Sequence, residues 1–581
     1  MAECTQRKSL LIFLGICFIA IIVKLVSLQI FQGQRYFRLS EANHIRKVYT
    51  PGARGKILDR NNNPLADTRP SFALSIIPCE IDLRTITKLN KIVELDSNKI
   101  NTLIHDQTYL RTPIKVKRDI DIQIASQIEE LLSELPGVTI EIEPVRIYPC
   151  SETSAHIIGY LGEITSEELK SDSFYKPWHY VGRHGLEAIY EKYLRGQDGI
   201  RYTEIDALGR ELGPIPEKRE ILPEPGCDIV LTIDIELQKL AYTLLSQYQR
   251  GAVVGLDLKD GGVLCLVSYP SFNPELLTKG IPYKEWVRLT SDKSAPLINR
   301  AISAVYSPGS TIKPAISLLA LEKNIISENT RFNPCYGEFH FGNRIFRCLG
   351  KHGSLILHDA IVYSCNVYFY QLALKLGLDK YSEFLSFWEI DRKTGIDLPG
   401  EKRGNIPNRS YLDTKYGKNR WTSGLLVNYG VGQGEILVTP LRLALIYSAL
   451  AQEGEYYQPH LLKEIRKSDS VIYRYQPQKK LLPVSKYSCE IIKNALCDVV
   501  SYGTGWGASI PDISVAGKTG TAENPPRRDH AWFVGYAPAN NPEVLFCAIV
   551  ENVGKGGAYA APIVRELIKK YFQQRDSVAH E

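Results

Sequence analysis

From Leu10 to Val23 the chain carries no charged residue, and beyond Lys24 its apolar character continues to Phe31. About 20 such residues cross a bilayer as a helix, with a lysine near one end snorkelling to the interface. The run is long and no small-x-small cleavage pattern follows it, so an uncleaved anchor is expected over residues 9–31, behind a short cytoplasmic tail, 1–8. Arg7 and Lys8 favour retaining that tail, whereas Lys24, Arg35 and Arg38 lie on the other side. Long domains translocate largely regardless of charge. The expectation is a single-pass protein of the inner (plasma) membrane, with its bulk on the periplasmic or extracytoplasmic side.

Beyond the anchor the pattern splits in two. Residues 35–220 mix short alternating runs with helical spacing and predict an extended α+β domain. "GVTIEIEPVRIYP" alternates as a strand does, "GRHGLEAIYEKYLRG" has the spacing of an amphipathic helix stopped by Gly196, and "GIRYTEIDALGRELGPIP" predicts a hairpin. Gly55 to Asp59 reads as a short strand before a turn at Asn61–Pro64. A proline- and charge-rich boundary, "EKREILPEPGCD", precedes a second domain, 225–575. There "IVLTIDIELQKLAYTLLSQY" predicts a strand and a helix, and "GAVVGLDLKDGGVLCLVSYPSFNP" a hairpin turning at Lys259–Gly262. A long helical middle, about 310–460, separates these from three late strands and a last helix. Strands at both ends with helices between predict one sheet, built from early and late segments and flanked by a helical cluster. The fold class is α+β.

The 581 residues exceed one core, and 44% hydrophobic with 23% charged residues is ordinary globular composition. A net charge of +6 with no concentrated basic stripe gives no reason to expect nucleic acid. The twelve cysteines lack the density of a small disulfide framework.

Chemistry enters at "YSPGSTIKPAISLLALE". Pro308-Gly309 is a turn, Ser310 suits a helix N-cap or first turn, and Lys313 falls one turn later at the head of an apolar helix. Burial there should lower the lysine pKa and leave a neutral amine beside a hydroxyl, a base beside a nucleophile. "YSCNVYFYQLA" adds Ser364-Cys365-Asn366, and "VAGKTGTAE" adds Lys518-Thr519-Gly520-Thr521. Alone, each motif is weak and has a plain structural reading. In this order and at these separations, S-x-x-K, S-x-N and K-T-G form the acyl-transfer set of penicillin-binding proteins and serine β-lactamases.

The flanking sequence resembles class B penicillin-binding proteins, most closely the elongation-type penicillin-binding protein 2 group, over nearly the whole chain. "RGKILDRNNNPLA", "GRHGLEAIYEKYLRG", "YSPGSTIKP", "TGIDLPGE", "NYGVGQGEILVTPLRLA" and "AGKTGTAE" carry the likeness. Asn63 stands where the family often has glycine, a change confined to a turn. The resemblance implies a D,D-transpeptidase domain on a pedestal (dimerisation-like) domain, without a glycosyltransferase module. It would cross-link peptidoglycan stem peptides in cell-wall elongation and rod-shape maintenance.

The resemblance further implies that Ser310 forms the acyl-enzyme, with Lys313 as its base and β-lactams as inhibitors. Ser364 and Lys518 would relay a proton to the leaving amine, and Asn366 would hold Lys313 and bind a substrate amide. Lys518 with Thr519 or Thr521 would bind the terminal carboxylate, Gly520 would let the substrate backbone approach, and the N–H groups of Ser310 and Thr521 would form the oxyanion hole. A RodA-type membrane glycosyltransferase and the elongation machinery are the implied partners, with Arg54–Arg60 and the anchor as contact regions. The competing readings are a D,D-carboxypeptidase or β-lactamase using water, and a β-lactam sensor or scaffold. A scaffold should have lost one of Ser310, Lys313 or Lys518, and a sensor needs a cytoplasmic part for which the short tail leaves no room.

No cofactor is required for this chemistry. One cysteine subset nevertheless has a pattern: Cys335, Cys348, His352 and Cys365 read C-x12-C-x3-H-x12-C, compatible with a structural Cys3His zinc site. A Cys335–Cys348 disulfide or buried free thiols fit the same residues, and His340 is a spare ligand off the pattern. Trp506 and Trp532 are candidates for the cleft wall, with core packing the alternative. Glu523 is either a substrate contact or a turn cap.

Overall fold

The computed structural model describes residues 2–34, 45–95, 100, 113–176, 179–205, 211–215, 218–418 and 420–579. Arg35 and Arg38, the tip of the predicted 199–216 hairpin and part of the helical pattern near 100–112 lie outside them. The first helix, Ala2–Val26, runs into a π-helical turn, Ser27–Phe31. Its Phe13–Phe31 span has a mean hydropathy of 2.4 and is long and apolar enough to cross a membrane.

The rest of the chain forms two compact units. One comprises Met1–Arg54, Thr68–Val145 and Arg195–Gly226. In it, Ile45–Thr50 pairs antiparallel with Gly199–Ile205, which pairs onward with Glu211–Pro214, giving the predicted hairpin. Phe72 to Ile76, in the Pro64–Ile76 strand, pairs with Ile114–Ile120. The helices Leu83–Ile92 and Ile122–Glu130, capped by Asp82 and Asp121, bury Leu89 and Ile128 with Leu74, Ile120 and Val138.

The other unit comprises Gly55–Asp67, Arg146–Leu194 and Cys227–Glu581. Its centre is a five-stranded antiparallel sheet in the order Val263–Tyr269, Gly251–Asp257, Val544–Val550, His530–Ala537, Ala516–Ala522. Early and late segments share it, as the pattern predicts. Both faces are covered, so the strands Gly251–Asp257 and Val544–Val550 are buried at every position rather than alternately. Val253 and Phe533 pack with Leu237 and Val564, from the helices Ile235–Ser246 and Gly556–Ala579. Val254, Val534 and Ile549 face the helical cluster, including Pro440–Ala451, which is buried all round.

Two expectations change. The predicted helix through 183–196 is two short helices, Gly185–Ile189 and Glu191–Leu194, broken at Tyr190. The helical middle is interrupted by a hairpin, Glu338–Phe341 with Arg344–Arg347. Its strands have four residues each, no fully buried position and a charged sequence, so neither period stands out.

The part of "RGKILDR" from Gly55 onward is tightly held within this second unit. Ile57 and Leu58 pair in parallel with Ile229 and Val230. Buried Asp59 accepts hydrogen bonds from the backbone N–H groups of Asn61 and Asn63, from Asn63 Nδ2 and from the N–H of Ile235. Asn63 thus contributes a side-chain bond that glycine cannot. Arg146 Nε donates to Glu187 Oε1 at 2.7 Å, with both side chains buried, and Arg146 Nη1 donates to the Gly55 carbonyl at 2.7 Å. Removing one partner of such a pair strands the other charge. Glu187→Ala is expected to destabilise this unit by about 3–5 kcal/mol, read as a lower denaturation midpoint; an unchanged midpoint would show that the pair contributes nothing.

Candidate active site

The site is assembled by three chain segments around a lysine. Gly309, at φ +56°, turns the chain into a 3-10 turn, Gly309–Ile312, and the α-helix proper begins only at Lys313 and ends at Glu322. Ser310 therefore sits on a tight turn rather than at a helix N-cap, and its carbonyl accepts the Lys313 N–H. The 3-10 turn still separates Ser310 and Lys313 by one turn.

Every residue from Lys313 to Leu321 is buried, and Lys313 itself has no solvent exposure. Its Nζ donates to the Ser364 carbonyl at 2.9 Å, to Ser364 Oγ at 3.3 Å and to Asn366 Oδ1 at 2.8 Å, and lies 5.0 Å from the centroid of the Phe369 ring. All these partners are neutral. Burial lowers its pKa to about 7, partly opposed by Cys348 and Cys365. Among the described residues no hydrogen bond joins Lys313 Nζ to Ser310 Oγ.

The second segment is the end of the Leu357–Val362 helix. The Cys365 N–H bonds back to the Ala360 carbonyl at 2.9 Å and the Ser364 N–H to Ile361 at 3.2 Å, a helix-terminating pattern that places Ser364 at φ +56°. Serine pays about 1–3 kcal/mol for that left-handed geometry. It presents both its carbonyl and its hydroxyl to Lys313. Asn366 opens the next helix, Asn366–Phe387, and its Nδ2 donates to the Arg347 carbonyl at 3.3 Å.

The third segment is the edge strand Ala516–Ala522, which carries Lys518, Thr519, Gly520 and Thr521. Lys518 is fully buried, and burial first, then Lys313, pushes its pKa well below the ordinary amine value. Its Nζ donates to the Thr519 carbonyl at 3.3 Å. Gly520 has a reason beyond the predicted substrate approach. A Cβ there would meet Thr311 Cγ2 at 2.8 Å and the Pro308 carbonyl at 3.0 Å, so glycine lets the strand lie against the turn that carries Ser310.

Sequence reasoning passed over Thr504, Gly432 and Gln433. Thr504 Oγ1 and Thr519 Oγ1 are hydrogen-bonded at 2.9 Å. Gly432 abuts Gly309, whose N–H donates to the Gly432 carbonyl at 2.9 Å. Gln433 bonds the K-T-G strand. The signal for the last two was the glycine-rich "NYGVGQGE", already conspicuous as a sequence feature but without an assigned chemical task. The two tryptophans separate: Trp532 is buried, donating from Nε1 to the Ser307 carbonyl at 3.1 Å, whereas Trp506 is 71% exposed. Glu523 is exposed and joins the site through its backbone N–H, which donates to Gln433.

Cys335, Cys348, His352 and Cys365 come together with all their ligand atoms within 4.8 Å of one another. His352 Nδ1 lies 3.6 Å from Cys335 Sγ and 3.5 Å from Cys348 Sγ, and Cys348 Sγ lies 4.0 Å from Cys365 Sγ. A tetrahedron with Zn–S near 2.3 Å and Zn–N near 2.0–2.1 Å has edges of about 3.5–3.8 Å, so the donor set fits zinc in type and spacing. Cys335, Cys348 and Cys365 are free thiols, with no Cys335–Cys348 disulfide. The Cys348 thiol is held below its ordinary range by a hydrogen bond from Cys365 and by backbone N–H groups, that of Asn366 at 3.2 Å. His340 stands apart, exposed and paired with Glu338.

These residues and this sheet define a serine acyl-transferase of the penicillin-recognising kind. The penicillin-binding protein transpeptidase domain family matches residues 251–569, and the penicillin-binding protein dimerisation domain family matches 49–231. The chain belongs to the penicillin-binding proteins. It is 33% identical to the peptidoglycan D,D-transpeptidase MrdA of Acinetobacter baumannii, over 96% of this chain and 86% of that protein. To MrdA of Escherichia coli it is 32% identical, over 97% and 93%. Among solved structures it is similar to Helicobacter pylori PBP2 in its complex with MreC, with a TM-score of 0.76 and 27% identity over 92% of this chain and 99% of that one. Pseudomonas aeruginosa PBP2 in complex with WCK 5153 gives 0.68 and 29%, over 90% and 96%.

Proposed function

We propose that this chain is a peptidoglycan D,D-transpeptidase of cell-wall elongation, working through a Ser310 acyl-enzyme. The observation that carries the reading is the fully buried Lys313 amine, shared between Ser364 and Asn366 at the head of the helix entered through Ser310. Ser310 Oγ attacks the carbonyl of the D-Ala-D-Ala peptide bond, and its proton passes to the neutral Lys313 Nζ. The C–N bond breaks, and the departing D-Ala amine takes a proton through Ser364 and Lys518. An amine of a neighbouring stem peptide then attacks the ester carbon, forming the cross-link and returning a proton to Ser310 Oγ. The N–H groups of Ser310 and Thr521 stabilise the oxyanion, at about 3 kcal/mol per donor. Lys518, Thr519 and Thr521 bind the donor carboxylate, Gly520 keeps the strand close, and Asn366 orients Lys313 and binds a substrate amide. β-Lactams acylate the same serine.

The pedestal spans 35–220 and the transpeptidase domain 225–575. The 9–31 helix anchors the protein in the inner membrane, with the tail in the cytoplasm and the catalytic domain outside. The similarity to PBP2 in complex with MreC, and at a TM-score of 0.73 to a chain of a peptidoglycan synthase complex, supports partners in the elongation machinery, a RodA-type polymerase among them.

Cys335, Cys348, His352 and Cys365 are the residues that would hold a structural zinc. A zinc ion supplies cross-linking there, not reaction chemistry.

Three results test this reading. Fluorescent penicillin should label the wild-type protein stably, and Ser310→Ala should abolish the label; a labelled mutant would displace Ser310 as nucleophile. The acylation rate should rise with pH through about 7 and then level off, because Lys313 accepts a proton only in its neutral form. A rate that is flat from about pH 6 to about pH 8 would remove Lys313 as the base. Protein purified with reduced thiols should contain one zinc per chain, lost in Cys365→Ser; metal-free, fully folded protein would refute the site.

A further inference from the structure

The "VGQG" turn touches no predicted catalytic side chain, yet it meets both halves of the site through backbone. Gly432 is at φ +69°, and a Cβ there would collide with the Gly309 carbonyl. The Gly309 N–H donates to the Gly432 carbonyl at 2.9 Å. A Cβ on Gly309 would in turn lie 2.6 Å from the Thr521 carbonyl oxygen. Three backbones, at 309, 432 and 521, are therefore packed closer than side chains permit.

Gln433 closes this arrangement. Its Nε2 donates to the Thr521 carbonyl at 2.9 Å, and its Oε1 accepts the Glu523 N–H at 3.3 Å. Its own N–H is held by the Asn428 carbonyl at 3.1 Å. One amide thus satisfies an acceptor and a donor two residues apart, as a paired strand would, just where the edge strand Ala516–Ala522 ends.

We propose that Gln433 is a positioning residue for the oxyanion hole: it fixes the end of the K-T-G strand against the nucleophile turn, so that the Thr521 and Ser310 N–H groups converge on one oxygen. The inference rests on the acyl-transfer reading of the site. A donor matters only where charge develops, and small misplacement weakens it steeply. Loss of the clamp should therefore slow the acylation step and leave the preceding non-covalent binding of a β-lactam nearly unchanged.

The test is stopped-flow acylation by a fluorescent penicillin on the full chain, resolving the acylation rate constant from the binding constant. Gln433→Ala should lower the rate constant about 10- to 100-fold, with the binding constant within about threefold. Gln433→Glu separates positioning from folding. Its carboxylate can still accept from Glu523 but cannot donate to Thr521 until it is protonated. Its acylation rate, divided by that of wild type at each pH, should rise as the pH falls, while the same ratio for Gln433→Ala stays flat. Glu435, held by Lys415, Tyr416 and Tyr429, and the exposed Glu523 are present in every protein compared, and their own titration is expected to divide out of the ratio. A Gln433→Ala protein acylated as fast as wild type, a defect confined to binding, or a pH-independent Gln433→Glu ratio overturns the inference alone. Failure of wild type to acylate overturns the site reading and the inference with it.

Discussion

A lysine with no solvent exposure, ringed by neutral partners, is the constraint on which the site depends. Burying an ammonium without a counter-charge costs several kcal/mol, and the usual remedy, a carboxylate, would restore the ordinary pKa. Here the Lys313 partners are a carbonyl, a hydroxyl and an amide oxygen. They orient the amine without stabilising its charge as strongly as an anion would. Lys518 is a second buried amine whose charge Lys313 opposes. Two like charges in one buried site favour neutral forms. The apolar helix behind Lys313 supplies position, and the S-x-N segment supplies orientation.

That orientation is held by backbone. Ser364 occupies a left-handed conformation because the Leu357–Val362 helix ends there with its carbonyls bonded back by Ser364 and Cys365. The strain is local, and the surrounding core, with Ile361, Cys365 and Val367 buried, holds it in place. The Ser310 turn and the K-T-G strand are likewise aligned through glycines 309, 432 and 520, whose neighbours leave no room for a Cβ. Side chains do the chemistry, and missing side chains set the distances.

How much of this could be read in the chain follows from the kind of signal each part leaves. The central sheet was legible because most of its strands are largely apolar and its hairpin turn is written in Lys259–Gly262. The S-x-x-K, S-x-N and K-T-G motifs stood out because their residue types and order are chemically specific, and the fold brings all three together. The Cys335, Cys348, His352 and Cys365 set was legible as a spacing, and its convergence is a matter of geometry. The break at Tyr190 was hidden, because two short helices in line keep helical spacing. The 338–347 hairpin was hidden because its strands are only four residues long and none of their positions is fully buried. Gln433 was hidden for another reason: an amide that bonds backbone leaves no pattern, and only the glycines around it marked the place.

The exposed hairpin also shows what the cysteine cluster does for the site. Four-residue strands without a buried position cannot fix their own placement. Cys335 and Cys348 stand at the two ends of this segment, and both reach His352 within 3.6 Å. Cys348 also accepts the Asn366 N–H, and the Arg347 carbonyl accepts Asn366 Nδ2. The side chain that orients Lys313 is thus held from behind by the hairpin, which itself packs Phe339, Phe341 and Phe346 against the core, with Phe339 and Phe346 against the Tyr370 ring.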